Sequence, residues 1–349
     1  MSVLVLIALF SAACLGMKVR KKPYLREEWM TKEFSLFIRG VFIILILCSH
    51  TNAYLRFDKG ADMIYVRGIG IAAPFIVSPF FFLSGYGICL SMRRNSQYAQ
   101  TFFRKKISSI YIPFFVGVLL YMILNLLLGR TYSAADNLLA LIGCASIGNS
   151  SWFMFMLLAL YGIVGLCIKR FSLKMVCWLC TGLTGVLFLA CGLFIPSVGW
   201  RMSIFTFPAG MWLAYNGEIF HTKMIAENKY GLKVGGCALL FVLLYFVGHL
   251  NGFNGLLILC NILLCILLAL LDGRIHFGNR VLEWVGSLSL EIFIVHRIPL
   301  IAIKSVLADL TPLAGFMIEL GLAISLAWLF RIGCGVVRGI LPVKLRTFK

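Results

Sequence analysis

Two groups of residues in this chain have the types and spacing to do chemistry. The first is Arg39 and His50 in the apolar stretch FSLFIRGVFIILILCSH. They stand eleven positions apart, a little over three helical turns, so in an α-helix both side chains point to nearly the same face. Their axial separation is ~16 Å, about half the thickness of a bilayer's hydrocarbon core. A neutral imidazole takes up and releases a proton near neutral pH, which is what a general base needs; otherwise it is a packed, hydrogen-bonded histidine. A guanidinium binds phosphates, or snorkels to headgroups. The second group lies in VGSLSLEIFIVHRIPL, where Ser289 and His296 are seven apart and share a face, with Glu291 and Arg297 beside them and Glu319 in the next apolar stretch. An ionisable group inside a span costs a few kcal/mol to insert, so each is functional or neutralised by a neighbour. Arg297 and Lys304 are the expected partners of the two glutamates.

The elements that must position these groups follow from composition. Of 349 residues, 61% are hydrophobic and 13% charged, whereas a soluble domain carries about 25% charged residues. A water-soluble globular enzyme is excluded, and the chain reads as a polytopic membrane protein. Apolar runs of spanning or near-spanning length occur at 2–17, 36–56, 69–92, 107–128, 152–168, 175–195, 201–215, 234–250, 254–271, 283–303 and 313–333. The expected fold is therefore all-α, a bundle of eleven membrane helices. The segment 137–148 is too short to cross and is expected at an interface or as a re-entrant turn.

The net charge of +19 suggests nucleic acid only until the charges are placed. Of the 32 Lys and Arg, 24 fall in the connections 18–34, 93–106, 169–174, 216–233, 272–280 and 331–349. Only seven fall on the opposite side, and Arg39 lies within a span. This alternation assigns the basic side, with the C-terminus, to the cytoplasm. No nucleic-acid partner is expected. His50 and His296 then lie at similar depth in the outer half. The first stretch has no basic leader region, so it is expected to be a retained helix.

Twelve cysteines lie mostly in apolar runs, where cysteine behaves as a small hydrophobe. Cys177-x-x-Cys180 has metal-like spacing but no second pair, so no metal site is expected. A transporter or exporter of a small acid or glycan precursor is the competing function for many spans with polar groups inside. No internal repeat is visible, which disfavours duplicated transporter folds.

At these residues the sequence resembles the acyltransferase 3 family of integral membrane acyltransferases, and the match runs in order from about Lys32. An Arg, ten residues and a His open the family's first helix, as Arg39 and His50 do here. PFFFLSGYG is similar to its aromatic Ser-Gly-aromatic segment (Phe81, Phe82, Ser84, Gly85, Tyr86). FFRKKISSIYIPFF resembles the basic loop and Pro of the following helix (Arg104, Lys105, Lys106, Pro113), although Ser109 stands about where many members carry Arg. SSWFMFMLLALY supplies Trp152, Phe153 and Tyr161, and FPAGM supplies Phe207 and Gly210. VGSLSLEIFIVHRIPL resembles the penultimate-helix signature (Gly286, Ser289, Glu291, His296).

The resemblance implies a ten-helix acyltransferase core at 31–333, preceded by an extra N-terminal transmembrane helix and basic linker (1–30) and followed by a basic cytoplasmic tail (334–349). It implies a multi-pass protein of the cytoplasmic membrane that transfers an acyl group, usually acetyl, from cytoplasmic acyl-CoA to a hydroxyl of a carbohydrate or glycolipid. Acyl-CoA is then a donor substrate, with no permanently bound cofactor. Arg39, Arg104, Lys105 and Lys106 would hold its anionic end. His50 would act as general base or transient acyl carrier, with Ser84, Tyr86, Trp152, Ser289, Glu291 and His296 shaping the site.

Overall fold

In the computed structural model, which describes residues 3–57, 60–194, 199–250, 255–304 and 310–340, each of the eleven apolar stretches forms helix. Backbone groups in hydrocarbon have no water to bond, and a helix satisfies them within the segment. The helices are α1 (Val3–Cys14), α2 (Lys32–Thr51), α3 (Ala61–Ala72), α4 (Ser78–Arg94), α5 (Tyr98–Lys106), α6 (Ile112–Leu127), α7 (Ala134–Leu141), α8 (Ser151–Cys167), α9 (Leu173–Phe194), α10 (Thr206–Tyr215), α11 (Gly217–Phe220), α12 (Tyr230–Leu250), α13 (Gly255–Asp272), α14 (Arg280–Ser287), α15 (Ser289–Val295), α16 (Arg297–Ala302) and α17 (Pro312–Ile340). The protein is an all-α polytopic bundle.

Among the described residues, six helical segments are long and apolar enough to cross a membrane, and a seventh counts if α14 and α15–α16 are one span bent by 57°. The other expected spans are shorter or broken. Helix α1 has 12 described residues, or ~18 Å, less than a full crossing. The run 69–92 is divided between α3 and α4, with Pro79 in the first turn of α4, where its missing N–H costs nothing. Helix α10 has only 10 residues. The segment 137–148 contains the end of the short α7, which has 8 residues.

Short and long helices divide by environment. Almost none of helix α12 is fully buried, and it displays Leu232, Leu239, Leu243 and Phe246, as a lipid-facing helix should. Helices α8, α10 and α15 bury most of their residues inside the bundle, and α4 buries about half of its own, chiefly against α10. Breaks in them are tolerated because they face protein rather than lipid.

Two glycine pairs set the closest approaches. A Cβ on Gly40 of α2 would strike the Leu282 carbonyl of α14, and one on Gly286 of α14 would strike the Leu36 carbonyl of α2. Gly85 of α4 and Gly210 of α10 are related in the same way, against the Phe207 and Phe82 carbonyls. Small residues let membrane helices meet backbone to backbone, where dispersion supplies the attraction that water does not. Thr31 caps α2, its Oγ1 accepting from Phe34 N at 3.2 Å. The basic segment ahead of α2 is folded down. β1 (Lys18–Val19) pairs antiparallel with β2 (Ile275–His276), Trp29 Nε1 donates to Ala269 O at 2.7 Å, and Met30 N donates to Asp272 at 2.6 Å. Two connections rich in Lys and Arg therefore meet at one end of the bundle.

Candidate active site

Arg39 and His50 both lie on the continuous helix α2, as their spacing requires. Arg39 sits on the wall of a half-open cavity of about 390 Å³, with Ser84, Lys106, Tyr161 and Ser289 also on the wall. Its Nε donates to Ser35 O at 3.4 Å. Lys106 Nζ lies 4.3 Å from the Tyr161 ring centroid, and Tyr161 Oη hydrogen-bonds Ser84 Oγ at 2.7 Å. Among the described residues, neither Arg39 nor Lys106 pairs with a carboxylate. Two cations and a ring of hydroxyls thus face one concave space. Such a surface binds an anion that also offers hydrogen-bond acceptors. The cavity wall includes Tyr98 and Lys106 of the basic connection 93–106 and Ser91 just before it, and extends along α4 to Phe80, ~16 Å from Ser91 along the helix axis.

His50 is not on this wall. It meets His296, with His50 Nδ1 and His296 Nε2 2.9 Å apart and ring centroids at 4.8 Å. His296 is fully buried, and its Nδ1 lies 3.1 Å from Ile292 O and 3.0 Å from Phe293 O. Carbonyl oxygens only accept, so this Nδ1 carries a proton. When the ring is neutral, Nε2 is then the acceptor, and His50 Nδ1 donates to it. A neutral His50 is left with its lone pair on Nε2, the atom available to take a proton. The arrangement follows the general pattern of a base whose second nitrogen is held by an orienting group.

The other residues singled out by sequence are distributed unevenly. Ser84, Ser289 and Lys106 join Arg39 on the cavity wall. Lys105 lies over the ring of the wall residue Tyr98 at 5.2 Å without lining the cavity itself, and Arg104 is not on the wall. Tyr86 is buried in the α4–α10 contact. Trp152 is half-buried, 6.1 Å from the Phe153 ring, and is also off the wall. Glu291 is committed elsewhere. Its two oxygens accept from Arg331 Nε at 3.0 Å and from an Arg331 terminal nitrogen at 2.9 Å, and Arg331 also bonds Ser287. The expected partners Arg297 and Lys304 are displaced by a residue forty positions away, because α17 packs against α15. Glu319 is fully buried, and neither of its oxygens accepts a hydrogen bond from a described residue.

Sequence reasoning passes over Ser35, Ser91, Phe293 and Arg331. Ser35 is within its reach, since it is one helical turn from Arg39. So is Phe293, which is four positions from Ser289 and three from His296. Arg331 counts, by sequence, only among the charges of a connection.

The acyltransferase domain family matches residues 36–332, most of the chain and every residue of the cavity and the histidine pair apart from Ser35. The chain belongs to this family and is a membrane acyltransferase. No curated protein and no solved structure matches it.

Proposed function

We propose that this acyltransferase moves a short acyl group, acetyl in the first instance, from cytoplasmic acyl-CoA to a hydroxyl of a cell-surface or lipid-linked carbohydrate. The basic end of the bundle is read as cytoplasmic. The observation that carries the proposal is the cavity wall on which Arg39 and Lys106 stand without carboxylate partners among the described residues, with the histidine pair beyond Phe293. Phosphates of the donor would bind these two cations near the basic end, where charge-assisted hydrogen bonds are strong. The pantetheine arm would run along the hydroxyl-lined wall toward His50.

At the far end the acceptor hydroxyl gives its proton to His50 Nε2 as its oxygen attacks the thioester carbonyl. Collapse of the tetrahedral intermediate breaks the C–S bond. The departing thiolate takes the proton from His50, so the products are an ester and a free thiol, and His50 is regenerated neutral. His296 holds His50 in the tautomer this requires and stabilises the transient imidazolium. Nothing in the cycle calls for a metal or a permanently bound cofactor.

The deciding experiment uses the full-length protein in liposomes with acetyl-CoA labelled in the acetyl group, together with candidate surface oligosaccharides and lipid-linked sugars. Appearance of label in an alkali-labile ester on one of them is the expected result. If label stays on acetyl-CoA with every hydroxyl acceptor while a separately supplied labelled small acid crosses the liposome membrane, the protein is acting as a carrier, and the proposal is wrong.

A further inference from the structure

A cluster of aromatic rings drawn from three helices lines the cavity, and one of them, Phe293, also reaches the histidine pair. Phe80 of α4, Phe153 of α8 and Phe293 of α15 close the end of the cavity away from the basic connections. The Phe153 ring lies 4.7 Å from Phe293 and 6.2 Å from Phe80, centroid to centroid, and is backed at 4.8 Å by the fully buried Phe81. Phe293 has the cavity on one side and is 6.0 Å from the His296 ring on the other. It also borders a much smaller chamber with Tyr121, Asn149 and Ser150. Rings at such separations are in van der Waals contact. Phe293, with Phe153 packed on it, is thus the ring that stands between the cavity and His296.

We propose that the Phe153–Phe293 pair is the acyl-length gauge of the enzyme, a floor that admits a two-carbon acyl group and turns longer chains back. The proposal rests on the reading of the cavity as the acyl-CoA site. Its physical basis is the packing of the floor. Phe153 and Phe293 are each about 95% buried and sit on helices fixed by their neighbours, so space for an acyl group comes only from a small rotation of the rings. Every further methylene has to be inserted into packing that is already full, which is destabilising. A tight apolar pocket discriminates one methylene by roughly 10- to 200-fold. The wall nearer the mouth carries serine and tyrosine hydroxyls and offers no comparable restriction.

The test is competition against labelled acetyl-CoA on the full-length protein, with unlabelled acetyl-, propionyl- and butyryl-CoA and free CoA as competitors. No acceptor is required. In the wild type, propionyl- and butyryl-CoA should compete progressively less well than acetyl-CoA, by about tenfold or more for each methylene. In Phe153→Ala the butyryl-to-acetyl ratio should fall by about tenfold or more, with free CoA affinity unchanged. Phe153→Leu, which keeps an apolar core of nearly the same bulk, should shift it in the same direction by less. Leu157→Ala widens the same face of α8 one turn nearer the mouth and should leave the ratio alone. The gauge is refuted if acetyl-CoA binds but the ratio is unmoved in both Phe153 variants, or if Leu157→Ala moves it as much. A wild-type protein that binds free CoA and no acyl-CoA, or neither, would instead overturn the donor reading and the gauge with it.

Discussion

The two ends of the candidate site are built from opposite materials. Toward the basic end stands an open cavity of about 390 Å³ whose wall carries two cations and several hydroxyls. Beyond the aromatic floor stands a pair of imidazoles, one of them fully buried, bonded to each other and to main-chain carbonyls. The difference matches the demands of two tasks. A charged donor has to be captured from water and its product released, so its site keeps access to solvent. Proton transfer between an alcohol, an imidazole and a thiolate runs better where water is excluded and the base is held in one orientation. Arg39, in the first half of α2, and His50, in its last turn, are held ~16 Å apart by one continuous helix.

This division of labour can be broken by substitution. His50→Ala should have the largest effect, a loss of acyl transfer of about 10²- to 10⁴-fold, the usual worth of a general base. Acyl-CoA affinity should be unchanged in the same protein. A parallel loss of both would mean that the histidine helps bind the donor, and the comparison would collapse. His296→Ala comes next. A hydrogen bond to a charged group is worth about 1.5–3 kcal/mol, so without His296 to stabilise the imidazolium transfer should fall by roughly 10- to 100-fold with donor KM unmoved. The pH profile should also change shape, because His50 is no longer held in one tautomer. A variant that lost stability alone would show neither the kcat defect at saturating donor nor the altered profile.

Arg39→Ala tests the other end. Removing a charged donor of hydrogen bonds to phosphate should weaken acyl-CoA binding by roughly 10- to 100-fold, with little change in rate once donor is saturating. Unaltered affinity would return Arg39 to the role of a snorkelling anchor. Glu291→Gln is expected to have the smallest catalytic effect. It removes the ion pair to Arg331 that ties α15 to α17, so the thermal midpoint should drop while both kinetic constants stay near wild type. A selective loss of transfer would show that Glu291 does more than fasten the helix that carries Phe293 and His296.

Much of this arrangement is legible in the order of the residues. Helical periodicity alone puts Arg39 and His50 on one face. The alternation of Lys and Arg between connections puts His50 and His296 at one depth, and the two rings prove to be in hydrogen-bond contact. Gly85, Gly210 and Gly286 stand out in the sequence only as parts of short motifs, and the folded bundle shows their physical work in two reciprocal helix crossings. Glu291 escapes a correct pairing by sequence because its nearest cations along the chain are not its nearest in space. The aromatic floor is invisible there, since one phenylalanine in an apolar run looks like any other.

What the sequence by itself determined, then, is that this protein is helical, crosses a membrane, and carries certain polar groups at certain depths. These properties depend on local hydrogen bonding, on the transfer of side chains into hydrocarbon, and on charge counted along the chain. Only the tertiary structure decided which faces meet. In water, an apolar stripe marks the side of a helix that will be buried, but in a bilayer lipid tails and protein interior are equally apolar, so hydrophobicity does not distinguish them. The rotation of each helix is settled by close packing between side chains far apart in sequence. The pairing of Glu291 with Arg331, the packing of Phe153 on Phe293, and the place of Arg39 on the cavity wall while His50 stands off it all follow from it.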